Sequence, residues 1–129
     1  MSDEPAALRA WHPVVEAKDP GLLDGLLADD VVFRSPAVFA PQEGVVLATA
    51  YLTAALAVLG PTVGYVRHWY DSSSAVLEFD ADLDGVIVHG VDLLQWNAAD
   101  RLTSFTVMVR PLRGLEQLIG RMRQHLAAG

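Results

Sequence analysis

The sequence predicts one α+β domain spanning residues 1–129, on three observations. Apolar residues repeat at helical spacing in the first 30 positions, and residues 45–59 are dense in Ala and Leu. From residue 63 onward four strand-like runs follow one another with only turn residues between them, and after Pro111 the helical period returns. A parallel crossover takes a dozen or more residues, so strands this close in sequence are expected to form an antiparallel sheet.

The elements follow in chain order. Asp3 and Pro5 supply a cap and a first-turn proline for an opening helix in which Leu8, Trp11 and Val15 share a face. Pro13 lacks a backbone donor and crowds the preceding turn, so this helix is expected to kink near Trp11 or to begin its regular part there. Asp19-Pro20 opens a second helical stripe of Leu22, Leu23, Leu26 and Leu27 that ends at Asp29-Asp30. Residues 31–35 are β-branched and aromatic and are stopped by Pro36, which makes a short strand, and a loop rich in proline and glycine runs on to Gly44. Residues 45–59 are dense in Ala and Leu and precede Gly60-Pro61, the pattern of a helix with a glycine cap and a proline stop. Strands are predicted over 63–70, 75–83, 86–96 and 102–110, with Asp84-Gly85 as a two-residue hairpin turn. A closing helix carries Leu115, Leu118, Ile119, Met122 and Leu126 on one face and Arg113, Arg121 and Arg123 on others.

Composition narrows the function. With 52% apolar and 19% charged residues the chain has material for a sizeable core and is not a disordered type. It has no cysteine, which excludes disulfides, thiol nucleophiles and Cys-ligated metals. The net charge of −7 is uneven: residues 1–100 hold 15 acidic and four basic side chains, residues 101–129 one acidic and five basic. Arg110, Arg113, Arg121 and Arg123 come with no aromatic interleaving, so no nucleic-acid partner is expected. The longest apolar stretch, 45–59, is interrupted by Thr49, Tyr51 and Thr53 and falls short of the ~20 residues of a membrane helix, so no membrane partner is expected. The opening Met1-Ser2-Asp3-Glu4 lacks the basic start of an export signal, and the expected location is cytoplasmic.

Several strings carry a resemblance. They are Leu26-Leu27-Ala28-Asp29-Asp30-Val31-Val32-Phe33-Arg34-Ser35-Pro36, then Gly90-Val91-Asp92-Leu93-Leu94, then Arg101-Leu102 through Val107-Met108-Val109-Arg110-Pro111-Leu112. With the order of elements, they make the chain resemble the SnoaL-like proteins of the nuclear transport factor 2-like superfamily. That resemblance implies a cone: a strongly curved antiparallel sheet wrapped around the amino-terminal helices and a cavity, with a carboxy-terminal helix. It also implies pairing of two copies through the sheet. Relatives include polyketide cyclases, ketosteroid isomerases, epoxide hydrolases and dehydratases, and also members whose cavity only binds a ligand, so function rests on the residues that line the cavity.

Alternation on strand 86–96 sets Asp92, Leu94 and Trp96 on one face and Val91, Leu93 and Gln95 on the other. A carboxylate among apolar positions points to the cavity, where desolvation raises its pKa and suits it to acid–base work. Its alternative is a structural pair with Arg110. Arg110 in turn is a candidate to bind a ligand oxygen or to clamp sheet to terminal helix. His68 is a candidate for a catalytic dyad with Asp92. Trp11, Phe33, Phe39, Tyr51, Phe79 and Met108 are candidates to line a site for a hydrophobic ligand, some of them being plain core. His12 lies near the expected mouth, and His89 and His125 are given no role.

No two of the four histidines have helical metal spacing, and there is no phosphate loop or calcium loop, so neither a metal nor a cofactor is expected. Asp80, Asp82 and Asp84 read as a solvated strand face. The expected function is binding of a small hydrophobic molecule, with cofactor-independent proton-transfer chemistry of the cyclase, isomerase or dehydratase type. The alternative is a non-catalytic ligand-binding or dimerisation domain. Trp69, Val86, Val91 and Leu93 offer apolar sheet surface for a homodimer.

Overall fold

In the computed structural model, which describes residues 4–128, the opening stripe forms α1 (Ala6–Ala17) and buries Ala7, Leu8, Trp11 and Val14. Pro13 lies inside α1 without ending it. Pro13 and Arg9, whose carbonyl loses its helical partner, both face solvent, where water can satisfy that carbonyl. Asp3, expected as the cap, lies outside the described residues, and the cap position is Pro5.

The second helical stripe is a correction. Asp19 Oδ1 accepts from the Gly21 N–H at 2.9 Å and opens a single 3₁₀ turn, Pro20–Leu23. Gly25, at φ +80°, then redirects the chain, and β1 (Leu27–Arg34) starts within the expected helix. Leu26 and Leu27 are buried, as the apolar stripe of a helix would also require. The deciding contribution is long-range: the Leu102 N–H donates to the Leu26 carbonyl at 2.8 Å, the first rung of a ladder that propensity cannot foresee.

The expected loop to Gly44 contains a two-residue strand, β2 (Gln42–Glu43), and is followed by α2 (Val45–Leu59). Gly60 does follow α2 but is right-handed at φ −52°, not a left-handed cap, and an added Cβ there would collide with the Leu56 carbonyl. Four strands follow: β3 (Gly64–Tyr70), β4 (Ser74–Leu83), β5 (Val86–Trp96) and β6 (Leu102–Arg110). Asp84 and Gly85 both have positive φ, as the two-residue β4–β5 turn requires. The sheet order is β2-β1-β6-β5-β4-β3. All neighbours are antiparallel except β1 and β6, which lie far enough apart in sequence to pair in parallel.

Register breaks in the β1–β6, β3–β4 and β5–β6 pairings bend the sheet, because each extra residue kinks its strand and increases the local twist. At Gly90 a Cβ would come within 2.7 Å of Phe79 Cζ, so only glycine lets the Phe79 ring lie over β5. The concave face packs on the helices, and Leu77, Phe79, Leu94, Phe105 and Val107 join the α1 and α2 residues in one core. The convex face carries exposed Trp69, Ile87 and Met108 and no covering helix among the described residues.

The last element, α3 (Leu112–Ala128), buries Leu118 and Met122 fully and Leu115, Ile119 and Leu126 in part. Leu118→Ala removes buried methyl groups from a 0% exposed site and is expected to cost about 3 kcal/mol, read from the denaturant midpoint. An unchanged midpoint would mean that α3 detaches without unfolding the rest.

Candidate functional site

The concave face converges on one narrow cavity. Its walls are Trp11 and Val15 from α1, Leu52, Ala55, Leu56 and Leu59 from α2, and Tyr65, Phe79, Asp92, Phe105 and Val107 from the sheet, with Gly60 and Val63 at one end. The free volume is about 30 Å³, room for a water molecule or two. Asp92 and Tyr65 are the two titratable side chains in this lining.

Asp92 reaches the cavity because β5 alternates strictly there: Asp92, Leu94 and Trp96 are all buried, while Val91 and Leu93 turn to the convex side. Its partner is Tyr65, whose hydroxyl donates to Asp92 Oδ2 at 2.7 Å. The same hydroxyl oxygen accepts from Trp11 Nε1 at 2.9 Å, so α1, β3 and β5 meet in a three-membered chain. Burial pushes the Asp92 carboxyl up from the ordinary 3.8 to about 7, and the Tyr65 hydrogen bond opposes this only in part. Burial, followed by the neighbouring Asp92 charge, holds the Tyr65 phenol well above its usual 10. Near neutral pH the site therefore has one group that gains and loses a proton.

The other candidates divide. Trp11 and Phe79 line the cavity. Phe33 is fully buried beneath it, 6.0 Å from the rings of Phe105 and of half-buried Tyr51, and serves as core. Phe39 is fully exposed in the loop before β2 and does not line the cavity. Met108 and Arg110 lie on β6 with the opposite parity to Phe105 and Val107 and so face the convex side.

Neither His68 nor Arg110, the two partners expected for Asp92, touches it. His68 pairs in register with Leu77, and Leu77 with Asp92, which sets His68 two strand spacings away, ~10 Å. Its imidazole is exposed and lies 3.9 Å from Glu4, which also meets His12 Nε2 at 3.3 Å. Arg110 donates instead to His89 Nδ1 at 3.2 Å. A guanidinium only donates, so the His89 proton sits on Nε2, 2.6 Å from Glu78 Oε2. Arg67 completes this convex-face chain with two bonds to Glu78, of 2.6 and 3.0 Å, and Arg67 and then His89 lower the Glu78 carboxyl to about 2.

Two residues carry little signal in the sequence. Tyr65 gives no periodic pattern, because β3 is an edge strand exposed at nearly every position and its register slips between Tyr65 and Arg67. Glu78 is hidden within a strand whose neighbouring acids, Asp80 and Asp82, are exposed as expected. No helix among the described residues is long and apolar enough to cross a membrane.

Neither a protein-family model nor a curated protein matches the chain by sequence. Solved structures do. A steroid delta-isomerase from Pseudomonas aeruginosa is 34% identical and superposes with a TM-score of 0.90 over 95% of this chain and 90% of that one. Two more distant structures share the fold. A protein described as a SnoaL-like polyketide cyclase from Jannaschia sp. CCS1 is 10% identical, with a TM-score of 0.70 over 92% of this chain and 97% of that one. An NTF2-like protein from Mesorhizobium loti is 20% identical, with a TM-score of 0.71 over 81% and 88%. One-third identity across nearly the whole of both chains, on a bent sheet closed over a cavity by helices, means that this chain belongs to the nuclear transport factor 2-like superfamily, with its SnoaL-like and isomerase-like members.

Proposed function

We propose that the cone binds a small hydrophobic molecule through one neutral oxygen, with Asp92 as polar anchor and proton-transfer group. The observation that carries this reading is a buried carboxyl titrating near 7 in a wall that is otherwise almost wholly apolar. The lining holds no cation to match a carboxylate or phosphate, which favours a ketone, enol or hydroxyl at the buried end. The name of the 34% identical protein, a steroid delta-isomerase, supports the same class of ligand and reaction.

A cavity of about 30 Å³ must widen to admit such a molecule. The experiment is a titration with a 3-ketosteroid and with a small cyclic ketone, followed by Trp fluorescence and by the Asp92 carboxyl signal in NMR. Saturable binding that shifts the Asp92 signal supports the reading, and binding that leaves Asp92 untouched overturns it.

The non-catalytic alternative is favoured by one feature: Asp92 is the single group of the lining raised to near neutrality, with no second acid or base beside it except the Tyr65 phenol. Turnover of a Δ5-3-ketosteroid to its conjugated isomer separates the two readings.

We also propose a homodimer through the convex face, where exposed Trp69, Ile87 and Met108 adjoin half-buried Val76, Val91 and Leu93. Light scattering at micromolar concentration is expected to give twice the chain mass, from an interface of more than ~1,200 Å². Trp69→Glu together with Met108→Glu is expected to give a folded monomer. A monomeric parent protein would count against the pairing.

A further inference from the structure

The cavity chain has a direction. An indole N–H can only donate, whereas a phenol oxygen both donates and accepts. With Trp11 Nε1 at 2.9 Å the Tyr65 oxygen has a lone pair engaged, and its proton is left for Asp92 Oδ2 at 2.7 Å. Among the described residues Oδ1 of Asp92 takes no hydrogen bond, and no fully buried side-chain oxygen there lacks a partner, so Oδ1 is the oxygen open to the cavity.

We infer that Trp11 is a positioning residue: its N–H fixes the polarity of the Trp11–Tyr65–Asp92 chain, so that Tyr65 always donates to Oδ2 and Asp92 meets a ligand through Oδ1. With Oδ2 held as an acceptor, the proton of the neutral carboxyl resides on Oδ1, pointed at whatever oxygen occupies the cavity. The first bond also polarises the second, because a phenol that accepts becomes a stronger donor. Trp11 thereby stabilises ionised Asp92 from two bonds away. Packing of the indole against the Phe105 ring, centroids 4.9 Å apart, holds it within reach of the Tyr65 oxygen.

The groups that face Asp92 leave few competing causes. Around the cavity that Asp92 faces stand Tyr65 from β3, Trp11 and Val15 from α1, Leu and Ala side chains from α2, Phe79 from β4, and Phe105 and Val107 from β6. Beyond this lining, His12 lies edge-on to the Tyr65 ring at 6.4 Å, and Glu4 lies 3.3 Å from His12 and 3.9 Å from exposed His68.

The consequence for a ligand rests on the proposed reading of the site, but the polarity is a property of the free protein, so the test uses no ligand. Asp92 is titrated by carbon NMR of protein labelled at aspartate carboxyls. Tyr65→Phe removes a hydrogen bond to a charge and is expected to raise the Asp92 midpoint by about one to two pH units. Trp11→Phe is expected to raise it by a few tenths of a unit, and the double variant by no more than Tyr65→Phe alone. Should Trp11→Phe disturb folding, replacement of Trp11 by benzothienylalanine keeps the bicyclic shape and lacks the N–H, and the same shift is expected. An unchanged midpoint in the folded benzothienyl protein overturns the inference. So does a Trp11 effect that persists in the Tyr65→Phe background, since it would then come from cavity hydration. Failure of the ketone titration, with these shifts present, would sink the proposed ligand and leave the positioning role standing.

Discussion

Asp92→Asn is expected to lower turnover of a true substrate by roughly 10²–10⁴-fold while the protein stays folded. The substitution keeps shape and an acceptor for the Tyr65 hydroxyl but removes the one group of the lining that titrates near neutrality. The result separates three situations. A fall in kcat with little change in KM identifies a proton-transfer role. A loss of ketone affinity with no turnover in either protein identifies a binding domain. Unchanged kinetics and binding would remove Asp92 from both. Collapse of the fold is not expected, because Arg110, which would be stranded if it were the partner, lies on the convex face bonded to His89.

The second large effect is on stability against pH. The folded-state pKa of Asp92 is raised from 3.8 to about 7, so between these values the folded protein holds a proton that the unfolded chain has released. Stability is therefore expected to fall as pH rises from about 4 to about 7, by up to about 4 kcal/mol, and to level off above. Asp92→Asn is expected to abolish this slope and to melt above the parent protein at pH 8 but close to it at pH 4. Glu78 acts with the opposite sign: its carboxyl is lowered to about 2, chiefly by Arg67, so its contribution is present above about 4.5 and lost as pH falls towards 2. Together these set a stability maximum near pH 4–5. Thermal melts between pH 3 and 8 check both limbs, and a maximum at neutral pH in the parent protein would contradict the buried, neutral Asp92.

The two effects share a cause that also bears on the proposed ligand. A carboxyl that stays protonated up to neutrality donates a hydrogen bond to a ketone or enol oxygen, whereas the same group ionised would repel an enolate. Ligand affinity for such an oxygen is expected to weaken as pH rises through about 7. The apolar wall sharpens this, because little water remains near Asp92 to soften the change.

Much of this protein is settled by local sequence. Period-2 alternation puts Asp92 with Leu94 and Trp96 on the buried face, and Asp84-Gly85 fixes a turn whose two positive φ values few other pairs accept. The apolar stripes of α1 and α3, and the Ala and Leu density of α2, locate the helices within a few residues. The same alternation, applied to β6, separates inward Phe105 and Val107 from outward Met108 and Arg110. Tertiary structure decided the rest. Leu26 and Leu27 suit helix and strand equally by burial, and the Leu102 ladder chose the strand. The partner of Asp92 was open between His68 and Arg110 because face and spacing say nothing of register. The β3–β4–β5 pairing set His68 two strands off, the parity of β6 turned Arg110 outward, and a register slip on an edge strand brought in Tyr65, where Trp11 from a helix 54 residues earlier completed the chain. Alternation along one strand is a local steric property and can be read from residues in order. Which side chains meet across strands and helices depends on register, bulges and packing, and these exist only once the whole sheet has closed over its core.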